Sequence, residues 1–230
     1  MSVSRTISNN ETMMDGDLDR YVAVGADAMH AIHHAVGEIR PKAVLDLPCG
    51  HGRVARHLRA SYADADLFVV DLDSPGAAFC AAEFDAIQLP ASTDFQKLQY
   101  DNCFDLIWVG SLITHLDSAT TLDFLSFCAR HLTATGSAVV TSHGAFVAGR
   151  LLLSDTSKYG LDPTIEAKIL AQYLDEGYGY HDYPEQPGYG ISLISRDWMT
   201  DAAASVGLRI ESFQDHGWDN HQDVIALQLQ

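Results

Sequence analysis

The sequence predicts an α/β fold: a seven-stranded, mostly parallel sheet with helices on both faces, an antiparallel last strand and a cap-like insertion. Three observations predict it. Apolar runs of strand length alternate with helix-length patterns, which is the signature of βαβ units. The chain ends on a helix and two strands joined by the turn-rich HGWDNHQ, short enough only for an antiparallel hairpin. The 230 residues, 47% hydrophobic, suffice for one substantial core, so residues 1–230 are expected to form a single domain.

Along the chain, residues 1–17 are polar and read as a flexible tail. Residues 18–40 carry a helical pattern and are expected to form a helical cover. Strands follow at Ala43–Leu47, Leu67–Leu72, Phe84–Leu89, Phe104–Val109 and Ser137–Ser142. Helices fall between them at Gly52–Ala60, Pro75–Ala82 and Ala119–His131, the last followed by TATG as a stop signal. From 144 to 194 the alternation breaks down, and six of the nine tyrosines lie there, together with the glycines of YLDEGYGYHDYPEQPGYG. That composition suits a lid. A helix at Arg196–Val206 and strands at Leu208–Gln214 and Asp223–Gln228 complete the chain.

Composition narrows the partners. A formal net charge of -17, with no run of Lys and Arg to reverse it locally, repels a phosphate backbone, so nucleic acid is not the expected substrate. No stretch approaches a membrane-spanning length of apolar residues, and the first residues lack an apolar signal core; a cytoplasmic protein is expected. Cys49, Cys80, Cys103 and Cys128 form no C-x-x-C pair and read as buried thiols. His30, His33 and His34 share a helical face, but no carboxylate or thiol at fitting spacing completes a metal site, so none is expected.

The chemistry starts at AVLDLPCGHGRVARHL. An apolar strand ends in Asp46, and a turn bearing Gly50 and Gly52 leads directly into a helix, bringing backbone and a helix N-terminus close to a ligand. The G-x-G-x-x-G of a dinucleotide fold is absent, which argues against a nicotinamide-dependent oxidoreductase. Asp71 ends the second strand, where an acidic residue accepts hydrogen bonds from ribose hydroxyls. The segments VLDLPCGHGR, LFVVDLD, FDLIWVGSLITHL and LTATGSAVVTS, in this order, resemble the successive motifs of class I S-adenosylmethionine-dependent methyltransferases, a Rossmann-like family. The chain departs from that pattern at Pro48 and Val70, where glycine is usual.

The resemblance implies S-adenosylmethionine as cofactor and S-adenosylhomocysteine as product. It places Asp46, Leu47, Gly50, Gly52 and Arg53 around the methionine and ribose, Asp71 on the ribose hydroxyls, Leu72 on the adenine, and Gly110 and Ser111 along the methionine portion.

On the acceptor side, His115 and His143 follow the fourth and fifth strands and so stand on the carboxyl rim, where open α/β sheets bind ligands. An imidazole there can take the proton of an attacking hydroxyl. Each has an alternative as a packing or capping residue. Trp218 and His221 in the last turn, with Tyr178, Tyr180, Tyr183 and Tyr189 in the insertion, are candidate substrate contacts. The expected activity is methylation of a small molecule, most readily an O-methylation of a sugar or natural-product hydroxyl. N-methylation of a small molecule and cofactor binding without catalysis are the alternatives.

Overall fold

The computed structural model describes residues 2–153, 159 and 161–230. Helix α1 (Leu18–Val36) opens the ordered core. Asp17 caps it by accepting from the Arg20 amide, and Gly37 ends it at φ +73°, short of the expected Arg40. Seven strands follow: β1 (Ala43–Asp46), β2 (Asp66–Val69), β3 (Ile87–Gln88), β4 (Phe104–Val109), β5 (Leu132–Ser142), β8 (Leu208–Trp218) and β9 (Gln222–Leu229). They form one sheet in the order β3-β2-β1-β4-β5-β9-β8. β1 to β5 pair in parallel, and β9 runs antiparallel to both β5 and β8. The antiparallel last strand is therefore present, but it slots inside the edge strand β8.

Neighbouring residues on the central strands enter different cores, as parallel strands covered on both faces require. Val44, Leu106, Trp108 and Val139 pack beneath α1 and helices α2 (Ala55–Ser61) and α3 (Ser74–Glu83). Leu45, Ile107 and Val140 face α4 (Ser118–His131) and α7 (Arg196–Ser205). Each such side chain contributes about 1.5–3 kcal/mol. Four strands differ from the sequence reading by three residues or more at one end. β2 stops at Val69, β3 has only two residues, β8 runs past Gln214 to Trp218, and the expected stop signal TATG is extended chain at the start of β5. Thr133 there donates to the Asp105 carboxylate at 3.0 Å, and Gly136 lies so close to the Phe104 carbonyl that a Cβ would come within 2.5 Å. A register shift between Phe104 and Leu106 absorbs the extra residues.

The insertion is built of regular elements: α5 (Ala145–Leu153), α6 (Pro163–Glu176), and a separate hairpin of β6 (Tyr178–Tyr183) and β7 (Gln186–Ile194). Val147, Leu161, Ile169, Ile191 and Leu193 give it a small core of its own. Two of its glycines serve close packing. A Cβ on Gly179 would meet the Ile169 carbonyl at 2.0 Å, and one on Gly190 would meet that of His181 at 2.0 Å.

The N-terminal segment, expected to be loose, is tied down because the buried Arg56 needs acceptors. Its guanidinium donates to the carbonyls of Ser4 and Thr6 at 2.9 and 3.1 Å. Cys103 is exposed rather than buried, while Cys49, Cys80 and Cys128 are buried free thiols. Among the described residues no helix is long and apolar enough to cross a membrane, and no group of three or more candidate ligands could hold a metal. His30 and His34 are exposed on α1.

Candidate active site

The site lies at the carboxyl ends of β1, β4 and β5, across the point where strand order reverses between β1 and β4. After Asp46 the chain turns through a cis Leu47–Pro48 peptide into Gly50 at φ +51° and Gly52 at φ +84°. These left-handed conformations favour glycine. On Gly50 a Cβ would enter open space, the side from which a ligand approaches, whereas on Gly52 it would strike Phe84 at 2.2 Å. Gly25, inside α1, lets that helix press onto the same turn, since a Cβ would fall 2.1 Å from the Arg53 carbonyl.

Asp71 stands two residues past the end of β2 and is held by backbone. One carboxylate oxygen accepts from Gly50 N at 2.7 Å and the other from Asp73 N at 2.8 Å. A carboxylate offers about four lone-pair directions, so acceptor capacity remains for a pair of hydroxyls. Leu72, beside it, is 66% exposed and offers an apolar surface to a ring. Asp73 caps α3 and also meets His51 Nε2 at 2.9 Å. Asp46 differs from all of these: it is buried, and among the described residues neither carboxylate oxygen has a hydrogen-bond partner. Burial holds its carboxyl well above the usual carboxylate range, Asp71 adds to the effect, and Arg53 opposes it. An unpartnered buried acid under the turn is what a bound cation would relieve.

Leu47 turns its side chain into the core, so only its backbone faces the rim. Gly110 packs against Trp108 and Trp218. Ser111 adopts φ +58°, a conformation that costs a non-glycine residue about 1–2 kcal/mol. A three-strand lattice compensates: Ser111 N donates to Thr141 Oγ1 at 2.8 Å, Thr141 Oγ1 donates to Gln222 Oε1 at 2.5 Å, and Gln222 Nε2 donates to Ser111 Oγ at 2.7 Å. Thr141 lies inside LTATGSAVVTS and Gln222 ends HGWDNHQ, but neither is among the residues the sequence marks as site candidates.

The acceptor side brings both histidines together. His143, 3% exposed at the end of β5, donates from Nδ1 to the Ser192 carbonyl at 3.3 Å. His115, closing the 3-10 turn Ile113–His115, donates from Nδ1 to the Gly190 carbonyl at 2.7 Å. A carbonyl only accepts, so both Nδ1 atoms carry the proton. Burial pushes His143 down to about 3, with His221 and His115 adding to the shift. Burial also lowers His115, against the pull of its Gly190 bond. Both rings are therefore neutral near pH 7, with the lone pair on Nε2.

Tyr189, 46% exposed, stacks on His115 at 4.7 Å and 26°, and Tyr183 lies 6.0 Å from the same ring. His221 and Tyr159 border His143 at centroid distances of 5.2 and 5.4 Å. Arg150 donates to His221 Nδ1 at 3.2 Å, which leaves Nε2–H to donate to the Tyr159 hydroxyl at 2.9 Å.

Three expected substrate contacts are committed elsewhere. Tyr178 is buried, donates to the Leu116 carbonyl at 2.9 Å and packs on Trp198. Tyr180 donates to Asp182 at 2.6 Å. Trp218 is 3% exposed, gives its indole N–H to the Val24 carbonyl at 3.1 Å, meets Trp108 edge-on and lies under the Arg53 guanidinium. It anchors α1 to the rim. Asp223 was missed altogether: buried at the start of β9, it accepts from His216 N at 2.8 Å. Burial pushes it up to about 6, Asp215 adding and the His216 amide opposing. Its place in a polar turn gave no sign of burial.

Residues 44–136 match the family model described as a methyltransferase domain. No curated protein matches the chain. Among solved structures it is similar to an S-adenosylmethionine-dependent methyltransferase from Clostridium acetobutylicum ATCC 824, with 13% identity, TM-score 0.62, and coverage of 94% of this chain and 96% of that one. It is also similar to the CcbJ methyltransferase from Streptomyces caelestis, with 12% identity, TM-score 0.61 and coverage of 89% of each chain. A third is NcsB1, an O-methyltransferase from neocarzinostatin biosynthesis, in complex with S-adenosylmethionine and 2-hydroxy-5-methyl naphthoic acid. Identity there is 15%, the TM-score 0.58, and coverage 94% of this chain and 61% of that one. At such identities the likeness is one of fold.

Proposed function

We propose that the chain is a class I S-adenosylmethionine-dependent methyltransferase and that it methylates a hydroxyl group of a small molecule, with His143 as general base. Asp71 would take the ribose hydroxyls of the cofactor, Leu72 the adenine, and the Gly50 turn the remainder, with the buried Asp46 answering the positive charge from below. When bound, S-adenosylmethionine supplies a methyl group made reactive by its sulfonium sulfur.

The observation that carries the reading is the setting of His143: at the end of β5, with Nδ1 held by the Ser192 carbonyl so that Nε2 is the ring's acceptor, and with burial favouring the neutral ring. Such a group accepts the proton of a hydroxyl as the oxygen becomes a nucleophile. Positioning supplies most of the acceleration and the base a further 10²–10⁴-fold. The burial that keeps His143 neutral also makes it a weak base. An acidic hydroxyl on an aromatic or enolic natural-product scaffold, with a pKa near that of tyrosine (~10), therefore suits it better than a sugar alcohol.

Incubation with methyl-labelled cofactor and a panel of hydroxylated and amine acceptors tests this. Label is expected in O-methyl products. Transfer to amines alone, or cofactor binding with no transfer to any acceptor, would sink it.

A further inference from the structure

Building on the assignment of His143 as base, we propose that the acceptor presents two neighbouring hydroxyl groups, one to His143 and the other to His115. The two imidazoles are anchored side by side on one strand, at the carbonyls of Gly190 and Ser192. Each Nδ1 gives its proton to β7, so each ring offers a hydrogen-bond acceptor at Nε2. Among the described residues neither Nε2 has a partner.

Two acceptors call for two donors. A ketone, ether or carboxylate supplies none, and a single hydroxyl satisfies one ring and leaves the other short. A primary amine has its donors on one atom. The carbonyls that hold the rings lie two residues apart on β7, so the rings take separate places and two hydroxyls of one scaffold can meet one ring each. Of the pair, the one at His143 loses its proton and is methylated. The one at His115 keeps its proton and sets the orientation, so His115 acts as a specificity residue. Tyr189, stacked on His115, continues the ring surface outward and gives a planar diol a wall to lie on.

The test is a binding measurement, independent of methyl transfer. Protein saturated with S-adenosylhomocysteine is titrated in a calorimeter with 1,2-dihydroxybenzene, its 1,3 isomer, phenol and trans-1,2-cyclohexanediol. The 1,2 isomer is expected to bind at least ten-fold more tightly than the 1,3 isomer and phenol. A preference shown by the cyclohexanediol instead upholds the paired hydroxyls and identifies a puckered scaffold. His115→Phe, which keeps a ring against Tyr189 but has no acceptor, should erase the preference. So should His115→Asn, whose amide retains a donor to Gly190. Equal binding of the 1,2 and 1,3 isomers, no binding of either diol, or a preference that survives both variants overturns the proposal. A diol preference together with unchanged turnover in His143→Ala would leave the paired hydroxyls standing and remove the base instead.

Discussion

His115 and His143 donate their Nδ1 protons to carbonyls of a single cap strand, at 2.7 Å from Gly190 O and 3.3 Å from Ser192 O. The same seam holds two more bonds, from Ile194 N to the His143 carbonyl at 2.8 Å and from Ser192 Oγ to the Ile113 carbonyl at 2.7 Å. The insertion therefore acts on both rings: by accepting both protons it selects the tautomer that the proposed base role of Nε2 requires.

Displacing that strand should disable acceptor chemistry and spare the cofactor. In Gly190→Ala the new Cβ would lie 2.0 Å from the His181 carbonyl, so β6 and β7 must part and the Gly190 carbonyl must move off His115. Turnover is expected to fall by about 10-fold or more, with S-adenosylhomocysteine affinity within about two-fold of wild type, since the cap seam is separate from the Gly50 turn. Equal losses in both would show that cap and cofactor turn are one unit.

His143→Ala should lower kcat by about 10² while leaving S-adenosylhomocysteine affinity intact. Its pH profile departs from that of an ordinary histidine. With the ring pushed down to about 3, His143 stays neutral well below pH 6, so turnover at pH 5 is expected to show no acid limb from this residue. The same shift governs stability. As pH drops below the unfolded value of 6.5 the unfolded chain takes up a proton that the folded ring refuses, so stability is lost between about 6.5 and 3. His143→Phe should lose less stability over that interval in thermal melts at pH 7, 5 and 4.

Asp71→Ala is expected to weaken S-adenosylhomocysteine binding by about 2–3 kcal/mol, because the ribose loses a charged acceptor and Gly50 N its anchor. Asp73→Ala should cost only the α3 cap and the His51 contact, about 1 kcal/mol of stability, with a small change in affinity. The reverse order of affinities in calorimetry would move the ribose role to Asp73.

Asp223→Asn should stabilise the protein at pH 7 to 8 and make little difference near pH 4. Its folded value, raised from 3.8 to about 6, means that the favourable protonated state is fully present below 3.8 and is lost as pH rises through 6. Above that the buried charge costs about 3 kcal/mol, which a neutral isostere removes. A melting-temperature gap that fails to widen between pH 4 and pH 8 would refute the assignment.

Read alone, the sequence determined the alternating strands and helices, the order of the motifs, the glycine turn between Asp46 and Arg53, the acid at Asp71, and the placing of His115 and His143 on one rim. These are local signals. Periodicity reports which face of an element is buried, and a glycine or a capping aspartate reports the backbone beside it. Only the tertiary structure decided which polar and aromatic groups are already occupied. Tyr178, Tyr180 and Trp218 look as available in sequence as Tyr189 does, yet each spends its donor inside the protein. Among the glycines of the cap, Gly179 and Gly190 let a helix and a strand come into backbone contact with their neighbours. The reason is distance along the chain: the partners that settle these roles lie 49, 75 and 194 residues away for His143, His115 and Trp218, and no local pattern specifies which carbonyl will be waiting there.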